Sequence, residues 1–173
     1  MEIRRAVPMA LLFLAALAPG CADAHPPGPT WSEHLQAVDD ALARDDASAA
    51  LHAWHGGYSA ALRNGTWLGL IELGDAYLRI PAITGKFPSS PKPIARQAYL
   101  RALLRAQAQS SAQGALLVAI AFAELGDSQV AAHCMKIAEG LALQQADSGV
   151  REQVVLERER LARRVAARQD SRR

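Results

Sequence analysis

Three places in the chain bring together side chains able to do chemistry. His52 and His55, in "HAWH", stand three residues apart, so on a helix they share a face and could ligate one metal ion. His133 and Cys134 are neighbours in "ELGDSQVAAHCMKIAEG", residues 124–140, and set an imidazole beside a thiol. His25 becomes the amino terminus if a leader is removed after Ala24, and its free amine and imidazole then form a chelate suited to copper.

None of the three is completed by its surroundings. No H-E-x-x-H and no C-x-x-C accompanies the histidines, and a structural zinc needs more ligands than one pair supplies. Copper enzymes with an amino-terminal histidine stand on β-sandwiches, whereas this chain reads as helical, and Pro26 and Pro27 point to a tail after His25. Neighbouring residues on a helix diverge by about 100°, so His133 and Cys134 do not converge on one ligand. A lone cysteine on an apolar helix face is usually a small buried hydrophobe. There is no G-x-S-x-G elbow, no G-x-G-x-x-G and no Walker loop. The expectation is a protein that is not an enzyme, with no catalytic residue, no metal site and no cofactor. An exported copper-binding protein is the weaker alternative.

The elements that position these residues follow from composition. Half the residues are hydrophobic, mostly alanine and leucine, while aromatics make up 5%. Alanine and leucine favour helix, strands favour β-branched and aromatic residues, and no sustained period-two alternation occurs. The fold expected is all-α. With 173 residues, the chain has room for one domain after any leader.

Residues 1–24 read as a signal peptide. Arg4 and Arg5 precede the apolar "VPMALLFLAALA", which is shorter than the roughly 20 residues of a membrane-spanning helix. Ala22 and Ala24 then form an A-x-A cleavage signal. A competing reading is the loose lipobox "LAPGC", in which Cys21 is lipidated. Export to the periplasm is expected, with lipid anchoring at the outer membrane through Cys21 as the alternative. The arginine- and alanine-rich usage suggests a bacterium, so Asn-Gly at Asn64 is read as a turn rather than a glycosylation site. Residues 25–30 form a proline-rich tail, and the domain proper spans 31–173.

Within that domain a spacing repeats. Ala115, Val118, Ala119 and Phe122 precede Gly126, and Ala131, Met135 and Ala138 follow at spacings of four and three. Upstream, Leu70, Leu73, Gly74 and Tyr77 precede Ala95, Tyr99 and Ala102 in the same spacing. Earlier still, Val38 and Ala41 precede Ala50, Trp54 and Gly57, with "RDD" where the turn glycine would stand. The pattern resembles the tetratricopeptide repeat, a pair of antiparallel helices with the signature W-x2-L-G-x2-Y, a glycine, then A-x3-F-x2-A. Small residues let the two helices approach, a large one fills the gap, and a left-handed Gly126 ends the first helix. Asp127 or Ser128 is placed to cap the second.

The resemblance covers roughly residues 31–142. It implies a short right-handed superhelix of about three helix pairs, interrupted by a loop insertion near 80–93, "PAITGKFPSSPKP". Val150, Val154, Leu161 and Val165 then mark a C-terminal helix that would cap the stack with a polar outer face. Its arginines are interleaved with acids as helical partners, which favours a solvated cap over nucleic-acid or lipid binding.

The resemblance also implies a partner-binding groove lined by first-helix positions. By register these are Leu35, Asp39 and Leu42, then Leu68, Ile71, Asp75, Leu78 and Arg79, then Gln113, Leu116, Ile120 and Glu124. Asp75 and Arg79 lie four apart, as an intrahelical ion pair or as a polar clamp for a peptide. The apolar members become core if a neighbouring helix covers them, and so apolar a groove could also serve as a homodimer face. The function expected is a protein-protein interaction or scaffold module of the cell envelope that holds an unidentified protein or peptide, with no nucleic acid. The alternative is a lipid-anchored structural lipoprotein.

Overall fold

The computed structural model describes residues 30–64, 66–81, 90–145 and 148–170. The expected leader, Cys21, residues 25–29 of the proline-rich tail with His25, and residues 82–89 of the loop insertion lie outside them. The described residues form seven α-helices and no strand, so the protein is all-α. In chain order they are α1 (Trp31–Ala43), α2 (Ala47–Asn64), α3 (Trp67–Arg79), α4 (Lys92–Ala108), α5 (Ala112–Leu125), α6 (Ser128–Gln144) and α7 (Ser148–Asp170). Among the described residues no helix is long and apolar enough to cross a membrane.

Local chemistry sets the helix ends. Thr30 and Glu33 form a reciprocal capping box at the start of α1, with Thr30 N–H donating to Glu33 Oε2 at 2.6 Å. The Asp46 carboxylate accepts from Ala49 N–H at 2.9 Å, and the Ser111 hydroxyl accepts from Gly114 N–H at 3.0 Å. Three turns share one geometry. Asp45, Ser110 and Gly126 take positive φ, and the next N–H reaches back five residues to Ala41, Ala106 and Phe122. Gly126 is thus the expected left-handed helix end. In the "RDD" turn Asp45 takes that conformation, which aspartate tolerates better than most side chains.

The expected cap of α6 is corrected. The Asp127 side chain makes no cap hydrogen bond. Its two oxygens instead accept from Arg96 Nε and Nη2, both at 2.7 Å, while Lys92 Nζ donates to the Leu125 carbonyl at 3.3 Å. The start of α4 thereby clamps the turn between α5 and α6, because a bidentate arginine outcompetes a local cap for one carboxylate. Arg105 acts similarly at the end of α2, donating to the Ala61 and Leu62 carbonyls at 2.9 and 2.5 Å.

The helices pack as consecutive pairs, α1 with α2, α3 with α4 and α5 with α6, and α7 lies on α5 and α6. Odd-numbered helices also touch each other in series, α1 with α3, α3 with α5 and α5 with α7. The repeated positions form the core. Val38, Ala50, Leu70, Leu73, Ala95, Ala102, Val118, Ala119, Phe122 and Ala138 are fully buried, and Trp54, Tyr99, Ala131 and Met135 nearly so. Close approach explains the small residues: a Cβ on Gly74 would lie 2.3 Å from the Tyr99 ring. One on Gly114 would lie 2.8 Å from both Ala106 and Trp67. In α7, Val154 and Leu161 are buried and Val150 half-buried, while the Val165 side chain lies outside the description. Its arginines pair with Glu157 (Arg160, 2.5 Å) and across to Glu139 on α6 (Arg158, 3.6 Å).

Candidate functional site

The groove positions fall on α1, α3 and α5, the three odd-numbered helices that touch in series. Not all of them reach the surface. Leu116 is fully buried and Ile71 nearly so, which removes both from any lining. Leu116 is covered because α5 is flanked by α3, α4, α6 and α7. Leu35, Leu42, Leu78 and Ile120 are half-buried against the core, and Leu68 is just exposed. Asp39, Asp75, Arg79, Gln113 and Glu124 are exposed.

The expected pairing of Asp75 with Arg79 is also corrected. Arg79 Nη1 donates to Asp39 Oδ1 at 2.6 Å and so joins α3 to α1. Both side chains are about half exposed, so the bridge contributes at most about 1 kcal/mol. Asp75 turns the other way and accepts from the Tyr99 hydroxyl at 2.5 Å. Tyr99 was expected only as the large core residue of α4. Its ring is buried edge-to-face on Phe122, but its hydroxyl reaches this surface. The presence of tyrosine rather than phenylalanine at that position was the available signal.

The centre of the surface is acidic. The Asp75 residue as a whole is exposed, yet its carboxylate is tucked against the Tyr99 hydroxyl. Burial raises the Asp75 pKa, and the like charge of Glu124 adds to that, while the Tyr99 hydrogen bond and Arg79 oppose it. Burial, then the charge of Asp75, raises Glu72. Among the described residues Glu72, Asp75 and Glu124 form no ion pair. Folded Asp75 holds its proton more tightly than the unfolded chain does, so its contribution to stability grows as pH falls and is lost as pH rises through the folded value. Asp75→Asn, whose amide oxygen can still accept from Tyr99, is therefore expected to raise the melting temperature at pH 7. That advantage over the parent should vanish as pH approaches 3.8, the ordinary aspartate value. Melting curves of the pair across this range check the sign, and an advantage that grows on acidification would contradict it.

The histidines and the cysteine separate. His52 and His55 are exposed on α2, and His133 is exposed beside a fully buried Cys134. Among the described residues no group of three or more His, Cys, Asp or Glu side chains is placed to hold a metal ion. Burial pushes the Cys134 thiol up to about 11, so at neutral pH it is a protonated core residue. It is expected to resist a thiol reagent such as dithionitrobenzoate at pH 8 until denaturant unfolds the chain. Rapid labelling of the native protein at this position would contradict its burial.

Comparison with protein-family models, curated proteins and solved structures gives no match for this chain.

Proposed function

We propose that the protein is a non-enzymatic interaction or scaffold module of a bacterial cell envelope, built as a short tetratricopeptide-like stack and exported by its amino-terminal leader. One observation carries this reading. Asp39, Arg79, Asp75 and Glu124, from three successive odd-numbered helices, come together on one surface through the Asp39–Arg79 bridge and the charge coupling of Asp75 to Glu124. Such a surface holds an extended partner segment by polar contacts at intervals, with Leu68 and Ile120 at its side offering apolar contact. Its uncompensated carboxylates favour a cationic segment over an anionic one.

The test is affinity capture from the native envelope with the full mature chain and with an Asp75→Ala/Arg79→Ala double variant. Both substitutions lie on exposed residues, and a thermal melt confirms that the variant folds. A partner recovered reproducibly by the parent and lost by the variant supports the reading. Equal recovery places the contact elsewhere and overturns it. Mass spectrometry of the mature amino terminus tests removal of the leader: a chain starting at His25 supports soluble export, a lipid-modified Cys21 the anchored form, and an intact leader contradicts both.

A further inference from the structure

Charge divides the helix stack into two layers. α1, α3 and α5 hold Glu33, Asp39, Asp40, Glu72, Asp75 and Glu124 against a single Lys or Arg, Arg79. α2, α4 and α6 reverse this, with Arg63, Lys92, Arg96, Arg101, Arg105 and Lys136 against a single carboxylate, Glu139, which is half-buried and meets Arg158. The even-numbered helices lie side by side. α4 touches α6, the Arg101 guanidinium stands 5.7 Å from the Tyr58 ring of α2, and Arg105 reaches two α2 carbonyls. Each buries one stripe against the odd-numbered helices and turns the opposite stripe outward.

The outward stripes carry cations and leucines. His52, His55 and Arg63 share that of α2, Leu100, Arg101 and Leu104 that of α4, and Lys136 and Leu143 that of α6. Leu100, Leu104 and Leu143 are 42%, 65% and 78% exposed, the last two more than any other large apolar side chain among the described residues. Arg63, Arg101 and Lys136 form no ion pair among the described residues. Acids flank the layer at helix ends, where Asp45 and Asp46 precede α2 and Asp127, before α6, is held by Arg96.

We propose that the outward side of α2, α4 and α6 docks on an anionic lipid surface, with Leu104 and Leu143 entering the interface and Arg63, Arg101 and Lys136 meeting the headgroup phosphates. Single leucines standing out among cations need no matching pocket in a fluid bilayer. Two other occupants fit less well. A nucleic acid gains nothing from the leucines and calls for exposed aromatic rings, whereas Trp54, Tyr77 and Tyr99 are buried and Tyr58 is half-buried. The acidic layer of a second copy matches the charge, but on α1, α3 and α5 the exposed large apolar residue is Leu68 alone, at 38%, too little to cover Leu104 and Leu143. Docking through the even-numbered helices leaves the layer of Asp75 and Arg79 facing away from the lipid, so this reading and the partner surface fail independently.

Co-sedimentation of the full mature chain with vesicles is the experiment, using phosphatidylcholine alone or mixed with phosphatidylglycerol, at low and high salt. Starting at His25, this chain lacks Cys21, so no lipid anchor contributes. Binding is expected to the phosphatidylglycerol vesicles, weaker at high salt and much weaker to phosphatidylcholine. Arg101→Glu/Lys136→Glu should weaken it by roughly tenfold or more, and Leu104→Gln/Leu143→Gln by roughly tenfold. All four side chains are exposed, so both variants should melt close to the parent. Arg163→Glu/Arg164→Glu, on α7, should bind as the parent does. A chain that stays in the supernatant with anionic vesicles at low salt overturns the proposal, as does binding that the α7 variant loses and the other two keep. So does self-association in sedimentation velocity by a chain that ignores vesicles, which would give the cationic layer to a second copy.

Discussion

Gly74→Ala is expected to destabilise the protein by about 2–3 kcal/mol, a fall in melting temperature on the order of 5–10 °C for a domain of this size. The sign is not obvious beforehand, because alanine in place of glycine within a helix normally gains up to about 1 kcal/mol. At Gly74 the added methyl would lie 2.3 Å from one atom of the Tyr99 ring and 2.8 Å from the next. The ring cannot retreat cheaply. It is 1% exposed, it meets Phe122 edge-to-face at 5.6 Å, and its hydroxyl is held by Asp75. Either α3 moves away from α4 or Tyr99 leaves its rotamer, and both costs exceed the propensity gain. Gly140→Ala is the matched control. Gly140 lies exposed in α6 with nothing within 4 Å of an added Cβ, so only the propensity gain applies and the protein should become slightly more stable. Thermal melts of the two variants should move in opposite directions. A Gly74→Ala protein that melts at or above the parent would show that α3 and α4 are not so closely apposed.

Trp54→Ala should cost more, about 3–5 kcal/mol. Trp54 is nearly buried on α2 and ties the first hairpin to the second. Its ring stacks on Tyr58 at 4.9 Å and meets Tyr77 of α3 edge-on at 4.8 Å. Its indole N–H donates to the Leu73 carbonyl of α3 at 2.7 Å. Trp54→Phe keeps most of the ring contact and removes the donor, and should cost about 1–2 kcal/mol. Denaturant titration of both variants separates packing from the hydrogen bond. A loss below about 1 kcal/mol for Trp54→Ala would mean that this ring does not join the hairpins.

Much of this core is legible in the sequence. The four-and-three spacing of Ala95, Tyr99 and Ala102, and of Ala131, Met135 and Ala138, marks a helix face, and periodicity alone places such residues inside. The turn at Gly126 was legible for a comparable reason, since glycine after a helical run favours the left-handed end. What escaped were contacts between elements. Arg79 was expected to meet Asp75 one turn away, but Asp39, forty residues back, takes its place. Nothing in the local pattern reports that α1 lies alongside α3. Asp127 stood where a cap belongs and was claimed by Arg96 from another helix. Leu116 and Ile71 carried the register of a surface but not its exposure. Helical spacing fixes which residues share a face and leaves open what covers that face. The acidic centre at Glu72, Asp75 and Glu124 was hidden likewise, because it assembles only when α3 and α5 meet.

Among the described residues no helix touches another more than two places away along the chain. Such a molecule has no closing contact between its first and last elements, so its cooperativity passes from neighbour to neighbour. Contacts this local also let the hairpins form quickly, without closing long loops. Opening then has a direction. α7, held among the described residues by α5 and α6 alone, is expected to exchange its amide hydrogens at the lowest free energy, while the middle helices α3–α5, covered from both sides, wait for global unfolding. Hydrogen exchange followed by mass spectrometry should show this gradient, and uniform protection from α1 to α7 would mean that the stack melts as one indivisible unit.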